Sequence, residues 1–140
     1  MMTKKTSVLL IDDDPFAMAM TKKVVEGLVK NGKIKTFCSA KDALSYLQAE
    51  NDMSGSDSEV PGIILSDLHM PCMDGSQFLD EFARLTEAIR RRYSVFILSS
   101  TTDEKERAQL FEKASFGGFC SKPLTRGKFM DLIERTRITL

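Results

Sequence analysis

Apolar residues are distributed along this chain in two alternating styles. Val8 to Ile11, Ile63 to Leu65 and Val95 to Leu98 are unbroken apolar runs of strand length, the pattern of parallel strands buried on both faces. Lys33 to Cys38 is more polar and predicts an edge strand whose two lysines discourage further pairing, and Gly118 to Ser121 predicts a fifth strand. Between these runs the apolar residues recur at helical spacing. Asp14 is the expected cap of a first helix, with Pro15 at its first position and Ala17, Met20, Val24 and Leu28 on one face until Asn31-Gly32 ends it. Ser39 and Asp42 open a second helix carrying Ala43, Leu44 and Leu47. Phe78, Phe82, Leu85 and Ile89 stripe a third. Thr101 and Glu104 form the expected capping box of a fourth, and Phe129, Leu132, Ile133 and Thr136 mark a fifth.

Strand and helix thus alternate five times, which predicts an α/β fold with a parallel sheet, right-handed crossovers and helices on both faces. A chain of 140 residues suits one such domain, spanning 1–140. Residues 50–59 (ENDMSGSDSE) break the rhythm: four acids, no base and Ser/Gly spacing predict a polar loop inserted before the third strand.

Composition removes several classes of function. Twenty basic residues balance twenty acidic ones, so nothing draws the chain to nucleic acid or to an anionic membrane through net charge. Cys38, Cys72 and Cys120 lie far apart and form no metal-ligand motif, which predicts free thiols in a reducing compartment. The first residues lack a secretory apolar stretch, and no apolar run reaches membrane-spanning length. A cytoplasmic protein is expected.

The chemistry gathers at the ends of the strands. In open parallel sheets ligands bind outside the carboxyl ends of the strands. There the first strand delivers Asp12, Asp13 and Asp14, the third Asp67, the fourth Ser99 and Ser100, and the fifth Lys122-Pro123. Two carboxylates about 4 Å apart repel by roughly 4 kcal/mol at an effective dielectric of 20, so such a rim needs a cation. Oxygen ligands without a Cys or His cluster favour a hard dication such as Mg²⁺ over a transition metal. An Asp carboxylate is itself a nucleophile toward phosphorus. Lys122 and Ser99 are placed to neutralise and hydrogen-bond phosphoryl oxygens.

Four segments, VLLIDDDP (8–15), IILSDLHMPCMDG (63–75), VFILSS (95–100) and CSKPL (120–124), resemble in order and separation the signatures of response-regulator receiver domains, over essentially the whole chain. The resemblance implies the flavodoxin-like (βα)5 three-layer fold of strand order 2-1-3-4-5. It implies that Asp12 and Asp13 bind Mg²⁺ (or Mn²⁺), Asp13 directly and Asp12 more often through water. Asp67 is the implied phosphoacceptor and metal ligand, and His69 offers its backbone carbonyl to the metal, its ring exposed at the mouth of the site. Ser99 matches the switch hydroxyl, Lys122 the phosphate-contacting lysine, Pro123 the proline after a cis peptide bond and Phe119 the aromatic switch. Gly75 matches a turn glycine, attributed to positive φ. Ser100 departs from the small alanine usual there, adding a hydroxyl near the phosphate.

The function implied is a two-component switch, phosphorylated on Asp67 by a histidine kinase or phosphotransfer protein. Its only catalysis is its own phosphorylation and dephosphorylation. Since the fifth helix uses the chain to Leu140, a stand-alone regulator is expected, signalling to a downstream protein through the face of the fourth helix, fifth strand and fifth helix. Two alternatives are a receiver excised from a hybrid histidine kinase and an Asp-nucleophile phosphatase. The phosphatase is disfavoured because such enzymes want a second acid two residues after the nucleophile, where this chain has His69.

Overall fold

The computed structural model describes residues 6–51, 60–136 and 138. Strands and helices follow as β1 (Thr6–Ile11), α1 (Pro15–Leu28), β2 (Gly32–Phe37), α2 (Ala40–Asn51), β3 (Gly62–Asp67), α3 (Gly75–Phe82), α4 (Glu87–Arg92), β4 (Tyr93–Ser99), α5 (Glu104–Phe111), β5 (Phe116–Ser121) and α6 (Arg126–Arg135). All strand pairs are parallel, and the sheet runs β2-β1-β3-β4-β5, the flavodoxin-like order. Successive strand residues point to opposite faces, so each strand feeds two cores. Leu9, Ile11, Ile64, Val95 and Ile97 pack against α2, α3, α4 and α5 on one face. Val8, Leu10, Ile63, Leu65, Phe96 and Leu98 pack against α1 and α6 on the other. Double burial is why the central runs are apolar without alternation, while β2 at the edge leaves Lys33 and Lys35 exposed.

Several local expectations are corrected. The single third helix is two, α3 and α4. The helix tightens after Phe82, where Arg84 N and Leu85 N donate to carbonyls three residues back, and Arg90 N then donates to Thr86 O as a new helix begins. Arg90 Nε donates to the Leu85 carbonyl at the break. Phe78, Phe82, Leu85 and Ile89 all remain buried, so the apolar spacing survived an interruption it could not reveal. On α1 Val24 and Leu28 pack partly buried against the core as expected, but the most buried line is Met18, Thr21, Val25 and Val29, and Met20 is 50% exposed. The helix is apolar on more than one side, and Thr21 holds an inward position. The cap of α5 is Asp103, whose Oδ1 accepts from Lys105 N and Glu106 N, and Thr101 Oγ1 supports it from two residues earlier by accepting from Asp103 N. Thr136 lies just past the end of α6, its hydroxyl bonded to Ile133 O.

The loop expected at 50–59 begins later than its acidic composition suggested, because Glu50 and Asn51 close α2. Residues 52–59 lie outside the described residues. β5 carries a bulge where Phe96 pairs with Gly118 while Val95 pairs with Phe116. Gly118 there has φ 156°, and a Cβ would meet Arg135 Nη1 and the Phe96 ring. Among the described residues no helix is long and apolar enough to cross a membrane.

Candidate functional site

The strand order reverses between β1 and β3, and the site residues stand at the carboxyl ends of these two strands and their neighbours. Asp12 follows β1 directly and is buried, while Asp13 is exposed and Asp14 has turned away to cap α1, its Oδ1 accepting from Phe16 N at 2.9 Å. Asp12 is oriented by its own chain, since Oδ1 accepts from Asp14 N at 2.9 Å. Asp67 is the last residue of β3. One carboxylate oxygen from each of Asp12, Asp13 and Asp67 lies within 4.8 Å of the others.

Lys122 is delivered from the end of β5. Its backbone N–H donates to Ser99 O at 3.0 Å, and its ammonium stands 3.1 Å from Asp12 Oδ2 and 3.3 Å from Asp67 Oδ1. The Lys122–Pro123 peptide bond is cis. Burial pushes the Asp67 carboxyl above its ordinary value; Lys122 opposes this and the Asp12 carboxylate adds to it. Burial also works against the Lys122 charge, but the bond to Asp12 and the fields of Asp67 and Asp12 outweigh it and leave the ammonium harder to deprotonate. Among the described residues three clustered carboxylates therefore share one ammonium, which pairs with Asp12 and Asp67. Clustered hard oxygen donors with negative charge to spare fit Mg²⁺, which characteristically takes one or two carboxylates and fills its other positions with water and phosphate oxygens.

Ser99 is almost wholly buried, and its Oγ accepts from Thr101 N at 3.1 Å, which leaves the hydroxyl hydrogen to be donated elsewhere. Ser100, by contrast, is exposed. Gly75 is required for a reason other than the one its motif suggested. Its φ is not in the left-handed region; instead a Cβ there would lie 2.6 Å from the Asp67 carbonyl oxygen and 3.0 Å from Leu68 Cα. Gly75 N donates to Leu68 O at 2.8 Å, folding the loop after Asp67 back onto the strand end. The residue with positive φ in this loop is Cys72, at 69°.

Two contacts of α5 were not legible in the sequence. The exposed His69 ring places Nε2 2.7 Å from Glu106 Oε1, an oxygen shielded from water. The next residue, Arg107, lies over the half-buried Phe119 ring at 4.6 Å. Neighbouring side chains of one helical turn thus touch the loop after Asp67 and the aromatic of β5. Sequence spacing pairs residues within a helix, whereas these contacts span 37 and 12 positions in number and depend on the fold.

The model of the response regulator receiver domain family matches residues 8–134. A response regulator receiver protein from Dyadobacter fermentans superimposes with a TM-score of 0.81 at 26% identity, covering 96% of this chain and 99% of that one. Among curated relatives, the probable methanogenesis regulatory protein FilR2 of Methanothrix harundinacea is 29% identical over 71% of this chain and 62% of its own length. The protein-glutamate methylesterase/protein-glutamine glutaminase of Treponema pallidum is 34% identical over 77% of this chain but only 24% of its own length. The chain therefore spans less than two thirds of either curated relative. With its sheet order, its acidic strand ends and a family match from the first strand to the last helix, the chain belongs to the response regulator receiver domain family.

Proposed function

We propose that the chain is a stand-alone, cytoplasmic response regulator that accepts a phosphoryl group on Asp67 and signals through protein contacts. The observation that carries this reading is the juxtaposition of Asp67, Asp12, Asp13 and the Lys122 ammonium at one strand-end rim. Asp12, Asp13, Asp67 and the His69 backbone carbonyl would hold Mg²⁺ (or Mn²⁺), which supplies neutralising charge to the phosphoryl oxygens.

The rest follows from the chain's own residues. A carboxylate oxygen of Asp67 attacks phosphorus as the bond to the donor breaks, and the donor, a histidine of a kinase or phosphotransfer protein, keeps the electron pair on its ring nitrogen. Lys122, held by Asp12 and Asp67, faces the charge that arrives. Ser99 donates its hydroxyl hydrogen to a phosphoryl oxygen, releasing Thr101 N. Movement there loosens the space behind Ser99, toward which Phe119 turns from beneath Arg107. The output surface is the joint face of α5, β5 and α6, biased between two states by the new bond.

A receiver governing a fused module is the second reading, favoured by the 24% coverage of the methylesterase. The test of the switch is hydrogen exchange with and without beryllofluoride, a phosphoryl mimic. Protection is expected to change over residues 101–135, and changes confined to the Asp67 loop would contradict the proposed output face.

A further inference from the structure

The turn that delivers Lys122 is gripped from behind by a second lysine. Lys128 is the third residue of α6, and its backbone N–H donates to the cap Thr125 Oγ1 at 3.2 Å. A cation is out of place there. The first turn of a helix carries partial positive charge and favours acids, and the third position after a threonine cap is where Glu or Gln would complete a capping box. α6 has no acid in its first turn. The Lys128 ammonium does not extend into water but folds back, donating to Ser121 O and Pro123 O, each at 3.1 Å. These two carbonyls stand immediately before and after Lys122.

We propose that Lys128 is a positioning residue for Lys122, one cation fixing the backbone from which the other is aimed. Lys122 has four rotatable side-chain bonds, so its ammonium is centred between Asp12 and Asp67 only if its own backbone is fixed. Ser99 O holds that backbone on the β4 side. On the α6 side the flanking residues Ser121, Pro123 and Thr125 are exposed, and the Lys128 ammonium ties two of their carbonyls together. Its charge suits the task, because it meets carbonyl dipoles rather than the helix terminus alone. The signal in the sequence is the Thr-x-x-Lys of residues 125–128, a capping box with the wrong charge.

The inference rests on Asp67 being the phosphoryl acceptor, and its test separates the two ideas. The full chain, with Mg²⁺, is titrated with acetyl phosphate, and initial phosphorylation rates are read by intact mass. Wild type, Lys128→Met, Lys128→Arg, Lys122→Met and the Lys122→Met/Lys128→Met double variant are compared. Lys128→Met is expected to lower the maximal rate roughly tenfold, a fraction of what a 1 Å misplacement costs, with the acetyl phosphate dependence of the rate unchanged. Lys128→Arg should restore most of it. In the Lys122→Met background, removing Lys128 should change nothing further, because the residue acts through Lys122. If Lys128→Met melts below the assay temperature, Lys128→Leu, which likewise cannot donate to the two carbonyls, is read instead with a loss in the same direction. A wild type that takes no phosphoryl group overturns the functional reading and this inference together. A wild type that does, beside Lys128 variants that match it or a double variant slower by a further tenfold, overturns this inference alone.

Discussion

The two ends of the sheet each bury charge, and they do so in opposite ways. At the amino end, Glu50 of α2 pairs with Arg92 of α4, both side chains nearly withdrawn from water. Arg92 Nε donates to Val60 O at 2.7 Å, and the Tyr93 hydroxyl faces both Glu50 oxygens at 2.9 and 3.1 Å, with the Arg92 guanidinium stacked 4.9 Å from the Tyr93 ring. One acid meets one base, and Arg92 Nε and the Tyr93 hydroxyl find acceptors as well. Burial, then the Glu50 carboxylate, pushes the Tyr93 phenol well above its ordinary range. At the carboxyl end, among the described residues, three clustered carboxylates share one ammonium that pairs with Asp12 and Asp67, and burial holds the Asp67 carboxyl up rather than down. Matched charge closes a structure, and here it ties together the two chain ends that flank residues 52–59. Unmatched charge leaves a place for a ligand.

That contrast is broken most severely at the matched end. Arg92→Met should cost about 3–5 kcal/mol by stranding the Glu50 carboxylate, and replacing both partners with apolar residues should recover much of it. Urea unfolding with an unchanged slope is the readout. At the unmatched end the sign reverses. Asp13→Asn should leave metal-free stability equal or higher, by less than about 1 kcal/mol since Asp13 is exposed and screened. Wild type should gain about 1.4 kcal/mol at Mg²⁺ ten times its dissociation constant, a gain the variant loses. A wild-type melting curve indifferent to Mg²⁺ would contradict the unmatched-charge account.

The smallest effects are those of pH. Because the folded Asp67 keeps its proton above the ordinary value of 3.8, stability contributed by this group falls as pH rises from 3.8 through the raised folded value. Asp67→Asn should flatten that part of the profile. Tyr93 gives the alkaline counterpart: the unfolded phenol ionises near 10.0 while the folded one does not, so stability falls above that pH, and Tyr93→Phe should remove the slope. Urea midpoints measured across pH report both.

The two ends also differ in how far the sequence disclosed them. Asp12, Asp13, Asp67 and Ser99 stand at the ends of apolar runs and Lys122 at the end of the more weakly marked fifth strand, and parallel strands bring these ends to one rim whatever the loops do. Glu50, Arg92 and Tyr93 sit among polar neighbours and come together across 42 and 43 positions, so composition presents them as surface residues. The break between α3 and α4 was hidden for a related reason, since Leu85 stays in phase with Phe82 and Ile89 across a turn. Gly75 was found by its motif but for a conformational reason, whereas its need for a bare Cα arises from the Asp67 carbonyl beside it, visible only in three dimensions.

The claim that the unmatched end exists to receive a phosphoryl group is tested most directly by locating that group. The chain is incubated with acetyl phosphate and Mg²⁺, the acyl phosphate is reduced with borohydride, and the resulting homoserine is mapped by peptide mass spectrometry. The account predicts conversion at position 67 alone and none in Asp67→Asn. Conversion at another carboxylate, or incorporation that persists in Asp67→Asn, would contradict it.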